Sequence, residues 1–262
     1  MPTVRRPAVA GMFYPGSPSE LRSTVEDLLR DVPPDRGPVP KAIIAPHAGY
    51  VYSGPIAAVA FQALAGQKLE RVVVLGPAHR VPVHGLALPG ADAFATPLGE
   101  VPVDANGAAA LSHLPQVTTF PHAHAPEHSL EVELPFLQVL FPGVPVLPIV
   151  VGDADGEEVA EVLDRVWGGT ETAIVISSDL SHYLPYDVAR RVDRETADEI
   201  LALEGPLHSR QACGAGPING LMVAARRRGM MPRLLDLRNS GDTAGDRGRV
   251  VGYGAFAFSE AE

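Results

Sequence analysis

Short β-branched runs alternate with segments of helical period along nearly the whole chain, and that alternation narrows the fold more than any other feature. Strands are predicted at residues 41–45, 71–76, 145–151, 171–177, 233–237 and 249–258. Helices are predicted at 18–30, 55–64, 104–111, 129–140, 156–167, 187–203 and 217–228. The strand runs are apolar at consecutive positions rather than at every second one. Strands of that kind are covered on both faces, which calls for a mainly parallel sheet between two helical layers. The expected architecture is an α/β/α sandwich, one domain across residues 1–262, with no repeat and no linker long enough to divide it. Two shorter pieces, 86–88 and 94–103, are expected as an antiparallel addition at a sheet edge. Local signals mark the first helix: Ser17 as its cap, Pro18 at the first helical position, Glu20 to close a capping box, and the proline-rich stretch 31–40 to end it.

Apolar residues make up 46% of the chain and charged ones 20%, enough of each for a large core and a solvated surface. A formal charge of −10 leaves no surplus of Lys and Arg to neutralise phosphates, which argues against nucleic acid as a partner. The Arg226–Arg228 run falls at a predicted helix end, where cations complement the helix dipole. No apolar run approaches the roughly 18–20 residues that span a bilayer, and no N-terminal stretch reads as a leader. A single cysteine cannot form an internal disulfide. The expectation is a soluble, cytoplasmic protein with neither nucleic acid nor membrane as partner.

Open α/β sheets bind ligands beyond the carboxyl ends of their strands, so the residues that follow each strand are read first. The first strand runs into Ala45-Pro46-His47, the next into Gly76-Pro77-Ala78-His79, and a third into Ser177-Ser178-Asp179-Leu180-Ser181-His182. One loop histidine is ordinarily a hydrogen-bonded surface residue, but three at equivalent strand ends point to a common site. Cys213 precedes a small-residue turn and a predicted helix, a setting that favours a thiolate, although a buried structural cysteine reads equally well there. His47, His79 and Cys213 together would hold one mononuclear ion and leave a position open for water or substrate. Asp179 and His182 then fit as proton carrier, further ligand or orienting partner, with His182 the first choice for acid/base work.

A second group, Glu127-His128-Ser129 with Glu131 and Glu133, opens the helix predicted at 129–140. Ser129 reads as its N-cap, and two readings stand side by side: His128 pointing into the cleft, or Glu127 and the first-turn glutamates in a capping or surface role. His122 and His124 sit in a Pro/Ala loop and are expected to be solvated. Phe13, in a turn-forming aromatic segment, and Tyr52, just beyond His47, either wall a pocket or pack the N-terminal arm against the domain.

In order along the chain, A-P-H-A-G-Y-V-Y-S-G, L-G-P-A-H, E-H-S-L-E-V-E-L-P-F, S-S-D-L-S-H and A-C-G-A-G-P-I resemble the Memo family, whose bacterial members are called AmmeMemoRadiSam system protein B. That family is similar in fold to the class III extradiol dioxygenases, non-haem iron enzymes that open catechol rings. The resemblance implies metal ligands at His47, His79 and Cys213, a pocket bordered by Asp179 and His182, and peptide-contacting positions at Phe13 and Tyr52. Phe13 stands where a phosphotyrosine-peptide-binding eukaryotic relative has tryptophan. The dioxygenases use glutamate in the place that Cys213 takes here, so ring cleavage does not carry over. The resemblance further implies iron or copper in preference to zinc, and radical-SAM and AMMECR-type partners from the same operon.

Three readings follow. The first is a metal-dependent redox protein acting on a small organic substrate, dioxygenase-like in its iron or copper chemistry. The second is a non-catalytic module that holds a peptide or partner protein in the same cleft, with His128 among its lining residues. The third is a zinc hydrolase with Asp179 or His182 as base.

Overall fold

The computed structural model describes residues 3–260. In chain order its strands are β1 (Val4–Arg5), β2 (Ala42–Ala45), β3 (Arg71–Pro77), β4 (Leu86–Leu88), β5 (Ala93–Thr96), β6 (Gly99–Pro102), β7 (Val117–Thr119), β8 (Val146–Val151), β9 (Thr172–Ser177), β10 (His182–Leu184), β11 (Met231–Asn239) and β12 (Val250–Ser259). The α-helices are α1 (Pro18–Arg30), α2 (Tyr50–Gln62), α3 (Ala105–Leu111), α4 (Pro121–His124), α5 (Leu134–Leu140), α6 (Gly156–Val166), α7 (Tyr186–Ala202) and α8 (Ala215–Arg228).

At the middle of the large sheet β2, β9, β3 and β8 run parallel in that spatial order. Antiparallel neighbours flank them: β12 beside β2, carrying β10 and β11, and β4 beside β8, carrying β7 in parallel. The hairpin β5–β6 does not join this sheet. It pairs with β1 in a separate three-stranded sheet and so ties the N-terminal arm to the body.

Alternation along the central strands builds two cores. Ile43, Val72, Val74, Val150 and Val175 pack with α1, α2 and α5 on one face. Ile44, Val73, Leu75, Ile149, Ile174 and Ile176 pack with α6, α7 and α8 on the other. A strand buried on both sides has no polar face to expose, which is why these runs read as continuous apolar stretches. The three layers predicted from the sequence are the layers observed. The sheet is mixed at its flanks, where β12 and β4 run antiparallel to β2 and β8.

Some local expectations give way. Helix α1 spans Pro18–Arg30 as predicted, but Ser17 makes no side-chain cap; its hydroxyl lies 3.2 Å from that of Ser19. The helix predicted from 129 begins at Leu134, after a 3₁₀ turn over Glu131–Glu133. Ser129 is not its cap, because its hydroxyl donates instead to the carbonyl of Pro77 at 3.0 Å, across to β3. Helix α2 starts at Tyr50, so Pro55 lies inside it. Among the described residues no helix is long and apolar enough to cross a membrane.

Candidate metal centre

Because β2, β9 and β3 are neighbours, the loops leaving their carboxyl ends lie side by side. His47 follows β2, His79 follows β3 and Asp179 follows β9. The ring centroids of His47 and His79 are 5.2 Å apart. His128 joins them from the segment before α5, 4.8 Å from the His79 ring and nearly parallel to it, and 5.5 Å from the His47 ring. One ligand nitrogen from each of the three lies within 4.8 Å of the others.

Each of the first two histidines is held from behind. The Nδ1 of His79 donates to Glu127 Oε1 at 2.9 Å, and its backbone N–H donates to Oε2 at 2.6 Å. Glu127 also accepts the backbone N–H groups of His128 and Ser129. Burial pushes the Glu127 carboxyl up, but these donors, His79 first, outweigh it and bring the group down to about 2. His47 is tied differently. Its Nδ1 lies 2.7 Å from Ser177 Oγ, which in turn lies 2.6 Å from the Ser129 carbonyl and 2.7 Å from Glu133 Oε1. With both Nδ1 atoms engaged, each ring keeps Nε2 as its free ligand nitrogen, the arrangement that fixes tautomers in metal-binding histidines.

Cys213 enters from the turn before α8. Its Sγ is 3.4 Å from His47 Nε2 and accepts the backbone N–H of Asp179 at 3.3 Å. Nitrogen and sulfur bound to one tetrahedral ion at ~2.0 and ~2.3 Å would stand ~3.5 Å apart, so this pair already has the spacing of two ligands on a common ion. The mutually close set is His47, His79 and His128, and Cys213 stands beside it through its contact with His47. The thiol does not behave as its place before a helix suggested. Burial and the Asp179 charge drive its pKa well above the usual value, so the metal-free sulfur carries its proton.

The remaining residues surround this cluster. Asp179 is buried, its carboxylate accepts the His47 N–H at 2.9 Å, and burial raises its pKa to about 6 against the opposing charge of His182. His182 donates from Nδ1 to the Leu180 carbonyl at 2.8 Å, which leaves Nε2 available for proton transfer. Tyr183 beside it holds a left-handed backbone (φ 61°), a strained conformation for a non-glycine residue. Phe13 meets the His128 ring edge-on at 4.9 Å, and Tyr52 is 40% exposed in the first turn of α2. Burial holds His47 well below the ordinary imidazole value and brings His128 down to about 4, so both are neutral bases at pH 7. On the sulfur side a cavity of about 380 Å³ is lined by Cys213, Pro77, Val83, His84 and Ser209.

His124 is not solvated. It is buried, with Nε2 2.8 Å from the Ala87 carbonyl and Phe94 edge-on to its ring, because α4 packs down on β4. Glu127, Ser177 and Glu133 were missed as orienting residues. The signal for the glutamates was present: Glu127, Glu131 and Glu133 lie among Leu130, Val132, Leu134 and Phe136, an apolar setting in which acids must find internal partners. Glycine is required at Gly76, where an added Cβ would lie 2.7 Å from Ser129 Oγ.

A family model described as Memo-like protein matches residues 5–257. A MEMO1 family protein from Methanopyrus kandleri is 39% identical, with 97% of this chain and 98% of the relative covered. Another from Archaeoglobus fulgidus is 37% identical, with 97% and 99% covered. Among solved structures, an uncharacterized protein from Escherichia coli K12 aligns at a TM-score of 0.49 and 13% identity, over 82% of this chain and 98% of that one.

Proposed function

The chain belongs to the Memo-like family, and on that premise we propose that it is a metal-dependent protein holding one ion on His47, His79 and Cys213, with His128 as the adjacent fourth donor. The observation that supports this reading is the cluster of His47, His79 and His128, whose ligand nitrogens lie within 4.8 Å of one another, with Cys213 Sγ 3.4 Å from His47 Nε2. Iron or copper is the ion proposed, and in this donor set it would supply redox chemistry toward a small organic substrate. The chain's own residues divide the remaining work. Glu127 and Ser177 aim the ligands, Asp179 fixes the His47 backbone, and His182 Nε2 receives or delivers a proton at the open side.

Titration of metal-free, anaerobically prepared protein tests the site. About one ion per chain is expected, with binding lost in both His47→Ala and His79→Ala. Unchanged metal content in those two variants would sink the proposal. Proton release separates the candidate third ligands: a Cys213 thiol that binds as thiolate gives up one proton per ion at pH 7 that Cys213→Ala cannot.

A second reading, a non-catalytic module for a peptide, draws on the exposed apolar residues beside the cleft loops: Met12 at 72%, Val51 at 65% and Tyr52 at 40% exposure. Calorimetry with phosphotyrosine peptides on metal-stripped protein would favour it if binding survives and Tyr52→Ala abolishes it.

A further inference from the structure

Three short contacts converge on the hydroxyl of Ser177: the Ser129 carbonyl at 2.6 Å, Glu133 Oε1 at 2.7 Å and His47 Nδ1 at 2.7 Å. All four groups are buried. A contact this short between electronegative atoms needs a proton between them, and a serine hydroxyl has one to give. The carbonyl of Ser129 has none, so the Ser177 proton must go there. The Ser177 oxygen then accepts twice, and each incoming proton must belong to the partner. His47 supplies its Nδ1–H. Glu133 can supply one only as the neutral acid.

From this proton count we infer that Glu133 is a protonated carboxylic acid at neutral pH and acts through Ser177 as a positioning residue for His47, fixing it as the Nδ1–H tautomer with a free lone pair on Nε2. The surroundings agree. Glu133 Oε2 has no hydrogen-bond partner among the described residues, which a carbonyl oxygen tolerates far better than a charged one. Among the described residues no cation pairs with the group, the Tyr50 hydroxyl beside it donates elsewhere, to the Val132 carbonyl, and burial together with the Asp179 charge opposes ionisation. Ionised Glu133 would leave either the Ser129 or the Glu133 contact as two facing lone pairs.

The two histidines are thereby made unequal. His79 is backed by the charged carboxylate of Glu127 and His47 by a neutral hydroxyl, so the pair would present one more basic and one less basic nitrogen to a shared ion. This deepens the metal-site reading and rests on it for its purpose, while the proton assignment itself can be read in protein that holds no metal.

The test is infrared spectroscopy of metal-free protein at pH 8, where Asp179 and Asp193, raised to about 6, are both ionised. Wild type should show a protonated-carboxyl C=O band that shifts in D2O and disappears in Glu133→Gln. No such band in wild type, or one that persists in the variant, overturns the assignment. Should Glu133→Gln fail to fold, the wild-type spectrum still decides, since no band at pH 8 means no neutral acid. The histidine ¹⁵N spectrum gives the second readout: His47 should be protonated on Nδ1 alone, and Ser177→Ala should convert it to a mixture of tautomers. An Nε2–H signal for His47 in wild type would overturn the tautomer. Failure of metal binding with these spectra intact would count against the metal site and leave the proton assignment standing.

Discussion

Glu127 carries four hydrogen bonds on one carboxylate: the ring and backbone of His79 and the backbone N–H groups of His128 and Ser129. Removing the charge while keeping the shape, as in Glu127→Gln, weakens the acceptor facing His79 and reduces that ring's basicity. Metal affinity is expected to fall by about 10–100-fold, measured by competition with a chelator, with secondary structure unchanged. Affinity equal to wild type would remove Glu127 from the site. At this scale the sequence was legible where a general rule applied. His47, His79 and Asp179 stand at strand ends, and the rule for open α/β sheets finds them. The orienting glutamates were only half legible: their apolar surroundings signalled internal partners, but Glu127, Glu131 and Glu133 also fit the pattern of acids that open a helix, and which groups they meet depends on what folds over them. Cys213 misled in a different way. Position before a helix argues for a low thiol pKa, but burial and a neighbouring carboxylate reverse the sign.

Glu131 does for an element what Glu127 does for a ring. It pairs with Arg5, accepts the N–H groups of Ala8 and Val9 at 2.7 and 3.0 Å, and takes the Tyr14 hydroxyl, so the N-terminal arm is fastened to the segment that carries His128. Arg5 also donates to the carbonyls of His124 and Glu127. Truncation in Glu131→Ala leaves the buried Arg5 guanidinium without its counter-charge and three donors without an acceptor, a loss of about 3–5 kcal/mol that denaturant unfolding would register. A loss below ~1 kcal/mol would mean that the arm contributes little to stability. The regular elements were largely legible, since β-branched runs and helical periods are local properties. The 3₁₀ turn before α5 and the separate sheet of β1, β5 and β6 were not. Both depend on pairing with segments roughly 50–120 residues away, which no local pattern encodes.

Across the whole molecule, two buried carboxylates respond to pH in opposite directions. Glu127 has a folded value of about 2, below its ordinary 4.5, so the stability it contributes is complete above 4.5 and is lost as pH falls toward 2. Asp193 lies buried beneath the loop of Asp179 and His182, where it accepts the Ser181 N–H at 3.0 Å, and its second oxygen has no partner among the described residues. Burial raises it from 3.8 to about 6. The folded state therefore holds this proton more tightly than the unfolded chain, and the contribution of Asp193 is greatest below pH 4 and declines as pH rises through 6. The size of that decline is at most about 3 kcal/mol, from roughly two pH units at 1.36 kcal/mol each. Asp193→Asn cannot ionise and should not share it. Denaturant unfolding of both metal-free proteins from pH 4 to 7.5 should show the stability difference shifting toward the variant by up to ~3 kcal/mol as pH rises. A difference independent of pH would place the Asp193 pKa at its ordinary value and make the buried oxygen a solvated one.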